Sequence, residues 1–361
     1  MKFGIEATVL PSGERKTLWV ADGKISEEAK GSPILLKDVW VMPGLVDAHC
    51  HIGLAAKGPA TDEQTIEQAI TDRDTGVLLV RDTGVPRDTH FVDRREDLPR
   101  IIRSGQHVAR YKRYIRNYAV EVEPEELVDE VARQASKDGQ WVKIVGDWID
   151  RELGDLAPLW PADVVKKAVD KVHELGKRVQ VHTFGEEAVA DFVAAGADCI
   201  EHGTGLSDEA IEEMAETGIA LVPTMTQLAT FPELAAGGDE KYPTWAAHMR
   251  ALHKKHFDVM GKALEAGVQI YAGTDAGGRL VHGRIAQETD LLAKLGGAEF
   301  AAGAASWRAR EWLGAMQLED GDSADFVCYR EDPRKNISVL HDPKAIVLRG
   351  KPVKGLQSDF C

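Results

Sequence analysis

The chain has 361 residues, 43% hydrophobic and 29% charged, an ordinary globular composition that can bury a large core. Its 44 basic and 59 acidic side chains give a formal net charge of −15, which repels phosphate backbones and argues against general nucleic-acid binding. No run approaches the ~20 uninterrupted apolar residues of a membrane span.

The opening "MKFGIEATVL" lacks a long apolar region with a small-residue cleavage site, so no secretory signal is read there. Cys50, Cys199, Cys328 and Cys361 lie far apart and form no Cys-x-x-Cys pair. Sparse cysteines suit a reducing interior, and a cytoplasmic protein is expected. The expected partner is a small-molecule substrate, without nucleic acid or membrane; a homo-oligomer is compatible with the sequence, which leaves the oligomeric state open.

Residues 1–41 read as short strands and turns, with Asp22-Gly23 as a hairpin signal. From "GLVDAHCH" (44–51) onward, strand and helix alternate. The further strands are "GVLLVRD" (76–82), "RIIRSG" (100–105), "QWVKIVG" (140–146), "RVQVHTFG" (178–185), "DCIEHGTG" (198–205), "IALVPT" (219–224) and "VQIYAGTDAG" (268–277). Between them, apolar residues recur at helical spacing in "PEELVDEVARQASKDG", "PADVVKKAVDKVHELG" and "SDEAIEEMAETG". Gly176 sits where a C-terminal cap belongs, and Ser207 where an N-cap does.

Eight such units over roughly 250 residues predict an α/β fold, a (β/α)8 TIM barrel. No Gly-x-Gly-x-x-Gly follows an early strand, which weakens an open dinucleotide-binding sheet. After residue 315 the texture returns to turns and short strands. The expected organisation is a small β-sandwich made from residues 1–41 and 316–361 beside a barrel of residues 42–315.

TIM-barrel chemistry gathers at the C-terminal strand ends. His49 and His51 end the first strand, Lys143 lies in the fourth, and His182, His202 and Asp275 belong to the fifth, sixth and eighth. Residues i and i+2 of a strand share a face, so both first-strand histidines point inward. Cys50 then points toward the helices, as a small buried hydrophobe rather than a ligand. Each residue alone is ordinary, but buried imidazoles and a carboxylate at one rim need partners, and a shared cation supplies them. His90, His173, His248, His253 and His256 read as solvated or packed rings, and His341 is placed in the sandwich.

These pieces, "PGLVDAHCH", "WVKIV", "VHTFG", "IEHGTG" and "GTDAG", resemble the metal-dependent amidohydrolase superfamily over nearly the whole chain. Within it they look most like the branch of imidazolonepropionase-like proteins and metal-dependent prolidases. The resemblance implies that His49 and His51 bind the more buried metal and His182 and His202 the more exposed one, while Asp275 binds metal and shuttles protons. Lys143 would bridge two ions, with zinc expected, as a carbamate. An unmodified lysine titrates near ~10.4 and would repel metal as a cation.

The activity implied is hydrolysis of a C–N amide bond in a dipeptide or N-acyl amino acid by a metal-activated hydroxide. Asp275 serves as general base and then general acid. The segment "SGQHVARYKRYIRNY" lacks the branch's Gly-Gly-His loop; Gly105-Gln106-His107 matches it in part. His107, Arg110, Tyr114 and, after the eighth strand, His282 are the candidate substrate contacts. Arg110 would hold a carboxylate and Tyr114 would donate to an oxyanion. The competing reading places these residues on the surface of a connecting helix. Alternative activities are a mononuclear deaminase, or a cyclic-amide, lactone or carbamate hydrolase. A non-enzymatic binding module would be expected to have lost ligands.

Overall fold

The structure is a computed structural model describing residues 1–356, a mixed α/β protein. Both chain ends enter one seven-stranded sheet. Its order is Lys351–Lys354, Ala345–Leu348, Phe326–Tyr329, Ile34–Pro43, Lys2–Val9, Glu14–Ala21 and Lys24–Ile25. The Asp22-Gly23 turn has positive φ at both residues, 49° and 86°, and joins strands in register from Ala21 to Lys24, as a two-residue hairpin requires. Val41 pairs with Cys328 across the junction of the two ends. A separate apolar cluster, including Phe3, Ile5, Val20, Val41, Phe326 and Val347, forms this sheet's core.

Apart from an antiparallel hairpin of Asp147–Asp150 and Asp155–Pro158, and Gly58–Pro59 lying antiparallel to Leu45–Ala55, the remaining strands run parallel in two groups. One contains Leu45–Ala55, Val77–Asp82 and Arg100–Ile102, with Ala276–Gly278 beside Leu45–Ala55. The other orders Ala119–Val122, His107–Arg110, Trp141–Val145, Arg178–Thr183, Cys199–His202 and Ala220–Val222. Backbone hydrogen bonds continue across both seams. Gln140 N donates to Arg103 O at 3.1 Å on one side. On the other, Leu221 N donates to Gln269 O at 2.8 Å, and Ala48 N to Ala272 O at 2.8 Å.

Strands Val77–Asp82 and Trp141–Val145 are buried at every residue, which explains their largely apolar texture. The helices that cover them follow the sequence signals. Leu127–Ala135, Ala162–Glu174 and Asp208–Thr217 bury their periodic apolar positions, and Ser207 caps the last by accepting from Ala210 N at 3.2 Å.

Two expectations are corrected. The segment 104–118 is not a connecting helix: His107–Arg110 is a strand, parallel to Ala119–Val122. The stretch 268–275 is irregular, pairing through an isolated bridge at Ile270. His341 ends a short 3-10 turn and contacts Asp290 on the helix Ile285–Ala304 at 2.7 Å. Among the described residues, no helix is long and apolar enough to cross a membrane.

Candidate active site

The strand Leu45–Ala55 places His49 and His51 on one face, with ring centroids 5.2 Å apart. Asp275 meets them from the irregular segment after residue 268. Its Oδ1 lies 3.0 Å from His49 Nε2 and 3.0 Å from His51 Nε2. This approach needs glycines on either side. A Cβ on Gly273 would stand 2.6 Å from His49 Cβ, and one on Gly277 would stand 2.7 Å from His51 Cβ, closer than side-chain atoms pack. The "GTDAG" motif is therefore a close backbone approach as well as a carboxylate.

His182 and His202 lie at the C-terminal ends of two adjacent parallel strands, Arg178–Thr183 and Cys199–His202. His182 Nδ1 and His202 Nε2 face one another at 2.9 Å, and His202 Nδ1 contacts Thr224 Oγ1 at 2.7 Å. The rings of His49 and His202 lie 5.1 Å apart, so the two histidine pairs share one floor. His202, Thr224 and Asp275 all have left-handed φ, at 65°, 49° and 56°. Such strain costs about 1–3 kcal/mol per residue and gathers where geometry matters to function.

Burial first, then neighbouring cations, pushes His49, His107 and His182 well below the usual imidazole range; burial also depresses His202. They are thus neutral at neutral pH, the form with a free lone pair. Burial alone would raise Asp275, but the His51 hydrogen bond and the nearby His202 and Lys143 outweigh it and hold the carboxyl low. His51 Nδ1 faces Gly84 O at 2.8 Å, a backbone acceptor that orients the ring. Neither His49 Nδ1 nor His182 Nε2 has a hydrogen-bond partner, although both are buried.

Lys143 lies beside these rings, 1% exposed, and burial lowers its ammonium to about 7. It ion-pairs with Glu201, which also lies 3.1 Å from Arg81 and 3.3 Å from His49 Nδ1. Neither Glu201 nor Arg81 was singled out from sequence. The available signal was a charge inside an apolar strand, Arg81 in "VLLVRD" and Glu201 in "CIEH", since a buried charge requires a partner.

Above this floor lies a cavity of about 630 Å3 with walls that include Tyr118, Trp148, Phe184, Leu234 and Trp245. His107 and Tyr114 line it, and His107 stacks on His51 at 5.1 Å. The other two candidate contacts lie elsewhere. Arg110 is outside the lining, its Nε 3.6 Å from Glu123. His282 sits behind the first strand, 2.8 Å from Asp72. Besides Lys143, the cavity wall carries the cation Arg279, and residues 224–234 contribute Gln227, Glu233 and Leu234 through two short helices.

Parallel strands delivering four histidines and a lysine, with an aspartate from an irregular segment, to the floor of an apolar cavity define a hydrolase-type α/β protein with metal-ligand chemistry. The chain belongs to the amidohydrolase family, whose pattern matches residues 40–353, and is a metal-dependent hydrolase acting on carbon–nitrogen bonds. An uncharacterized protein of Mycobacterium tuberculosis is 51% identical over 97% of this chain and 95% of its own length. Ochratoxinase of Aspergillus niger is 27% identical over 62% of this chain and 47% of its own length. In fold, the chain is similar to a Xaa-Pro dipeptidase crystallised with methionine in its active site. That match has a TM-score of 0.82 and 23% identity, covering 98% of this chain and all of the other. The A. niger ochratoxinase structure gives a TM-score of 0.78 at 20% identity, covering 98% and 96%.

Proposed function

We propose that this protein hydrolyses the C–N amide bond of a dipeptide or N-acyl amino acid. The observation that carries the reading is Asp275 Oδ1 at 3.0 Å from both His49 Nε2 and His51 Nε2, on the floor of an apolar cavity. In this reading residues 42–315 are a closed (β/α)8 barrel, and the N-terminal segment to residue 41 joins the C-terminal segment from residue 316 in a small β-sandwich. The backbone bonds across both seams and the joint terminal sheet support that architecture.

The donor set fits divalent metal. Ligand atoms of His49, His51 and Asp275 lie within 4.8 Å of one another, and the buried His182 Nε2 has no hydrogen-bond partner. His49, His51 and Asp275 would hold one ion, His182 and His202 a second, and zinc suits these donors. When bound, the ions supply an activated water and polarise the scissile carbonyl.

The remaining work falls to side chains. Asp275 takes the proton from the attacking water at a carboxylate oxygen and returns it to the leaving nitrogen. Tyr114, held protonated by burial, donates its O–H toward the carbonyl oxygen. The aromatic walls exclude water and seat an apolar acyl or side-chain group. Arg279 holds the substrate carboxylate at the mouth.

Lys143 at about 7 keeps a neutral-amine fraction at physiological pH. That is the form which adds carbon dioxide, giving the carbamate that would bridge both ions. Its ion pair with Glu201 favours a second reading: an ammonium neutralised in place, a mononuclear site and deaminase-type substrates. Metal content of protein purified with bicarbonate separates them. Two equivalents, falling in Lys143→Ala, support the bridged pair; one equivalent in both proteins supports the mononuclear site.

A further inference from the structure

The face of Leu45–Ala55 opposite His49 and His51 carries its own cluster. Cys50 Sγ lies 3.5 Å from Asp72 Oδ2 and 3.7 Å from His282 Nδ1, and His282 Nδ1 lies 2.8 Å from Asp72 Oδ2. The three atoms come from three separate pieces of chain: the strand, the helix Asp62–Asp74 and the loop after Asp275. Cys50 is fully buried, Asp72 is 1% exposed and the His282 side chain 6%. The second carboxylate oxygen of Asp72 is occupied separately, accepting from Gly283 N at 2.8 Å.

This is the size of a metal-ligand triangle. Bond lengths of ~2.3 Å to sulfur and ~2.0–2.1 Å to nitrogen and oxygen place tetrahedral donors ~3.5 Å apart for S and O, ~3.6 Å for S and N, and ~3.3 Å for N and O. The two sulfur edges already match. The His282–Asp72 edge needs to open by ~0.5 Å, a small movement for an imidazole carried on a loop.

We propose that Cys50, Asp72 and His282 form a second metal site, separate from the hydrolytic centre, for a zinc-class divalent ion. Thiolate, imidazole and carboxylate suit an ion of borderline softness, and water completes the tetrahedron. The thiol proton leaves as the ion binds. The ion clips the helix and the loop after Asp275 to the back of the strand that carries His49 and His51. The site is thus a positioning clamp and does not touch substrate.

Cobalt(II) loading of the full chain tests this directly. The hydrolytic donors contain no sulfur, so only the proposed site gives a near-ultraviolet sulfur-to-cobalt charge-transfer band. The band is expected in the wild type and in Cys199→Ala, and it should vanish in Cys50→Ala. In His282→Gln, cobalt affinity at this band should weaken about 10–100-fold. X-ray absorption of the zinc-loaded wild type should show a sulfur shell at ~2.3 Å, and serves if Cys50→Ala does not fold. No sulfur band or shell in loaded wild type overturns the site, as does a band that survives Cys50→Ala or is unchanged in His282→Gln. Loss of amide hydrolysis with the band intact would count against the hydrolytic reading alone.

Discussion

Asp275 holds one carboxylate oxygen against two imidazoles, so removing its charge tests both proton transfer and ligand geometry. Asp275→Asn should lower kcat about 10²–10⁴-fold; steady-state hydrolysis of N-acyl amino acids alongside metal content shows which role dominates. Arg279 acts differently, on binding alone. Arg279→Ala should raise KM about 10–100-fold, the value of a hydrogen-bonded charge, for substrates with a free carboxylate and leave their amidated counterparts nearly unchanged. Gly84 sets the position of His107. Its φ is 103°, and a Cβ there would come 2.9 Å from His107 Nδ1. Gly84→Ala should cost about 1–3 kcal/mol from backbone strain, seen in urea unfolding, and lower kcat/KM by displacing the ring.

At the scale of elements, the long helix Pro243–Glu265 carries Trp245 and Met249 into the cavity wall. His248 on that helix ties it to Asp155 of the strand Asp155–Pro158 at 2.9 Å and to Glu186 of the helix Glu186–Ala195 at 3.0 Å. The hydrogen bond to Glu186, reinforced by Asp155 against the cost of burial, raises His248 to about 9; the same bond, with Lys255, lowers Glu186 to about 2. Raised in the folded state, the imidazolium stabilises fully below its unfolded value of ~6.5. That stabilisation is lost as pH climbs through about 9. The depressed carboxyl adds its share above ~4.5 and loses it only as pH falls toward about 2. His248→Gln should therefore lower stability by about 0.5–1 kcal/mol near pH 6, a partly exposed network, and the gap should close above pH ~9. A gap that widens with pH in thermal melts would rule this network out.

The elements that could be read in the sequence were those in which burial enforces a single pattern. Strands covered on both faces cannot carry polar residues without partners, so "GVLLVRD" and "WVKIV" announced themselves, and Lys143 within the second marked the site. Segment 104–118 misled because Arg110, Arg113 and Arg116 recur at the three-residue spacing of an exposed helix face. Left-handed φ at Lys112 and Asn117 breaks that helix. Asp275 was legible as a ligand type, but the kinked backbone that aims it was not, since nothing in "GTDAG" distinguishes a strand end from a turn. Cys50 illustrates the limit of alternation: the outward direction was readable, the polar company of Asp72 and His282 was not, because those residues lie far away in sequence.

For the whole molecule, the terminal sheet and the parallel-stranded body meet at Asp325. This carboxylate is 1% exposed, accepts from Arg349 N at 2.6 Å and Arg100 Nε at 3.1 Å, and its backbone oxygen accepts from Gly44 N at 2.9 Å. Asp325→Ala leaves a backbone N–H and a guanidinium without their acceptor. It should cost about 1–3 kcal/mol, measured by denaturant unfolding with activity of the folded fraction retained.

The pairing of Val41 with Cys328 also has a temporal side. During synthesis, Ile34–Pro43 emerges early, while its neighbour Phe326–Tyr329 follows roughly 15–60 s later at ~5–20 residues per second. For that interval one side of an apolar strand waits with its hydrogen-bonding groups open, a template for another nascent chain on the same polysome. Soluble yield should therefore fall when translation is slowed. Circular permutation that places Phe326–Cys361 ahead of Met1 shortens the wait and should reduce that dependence.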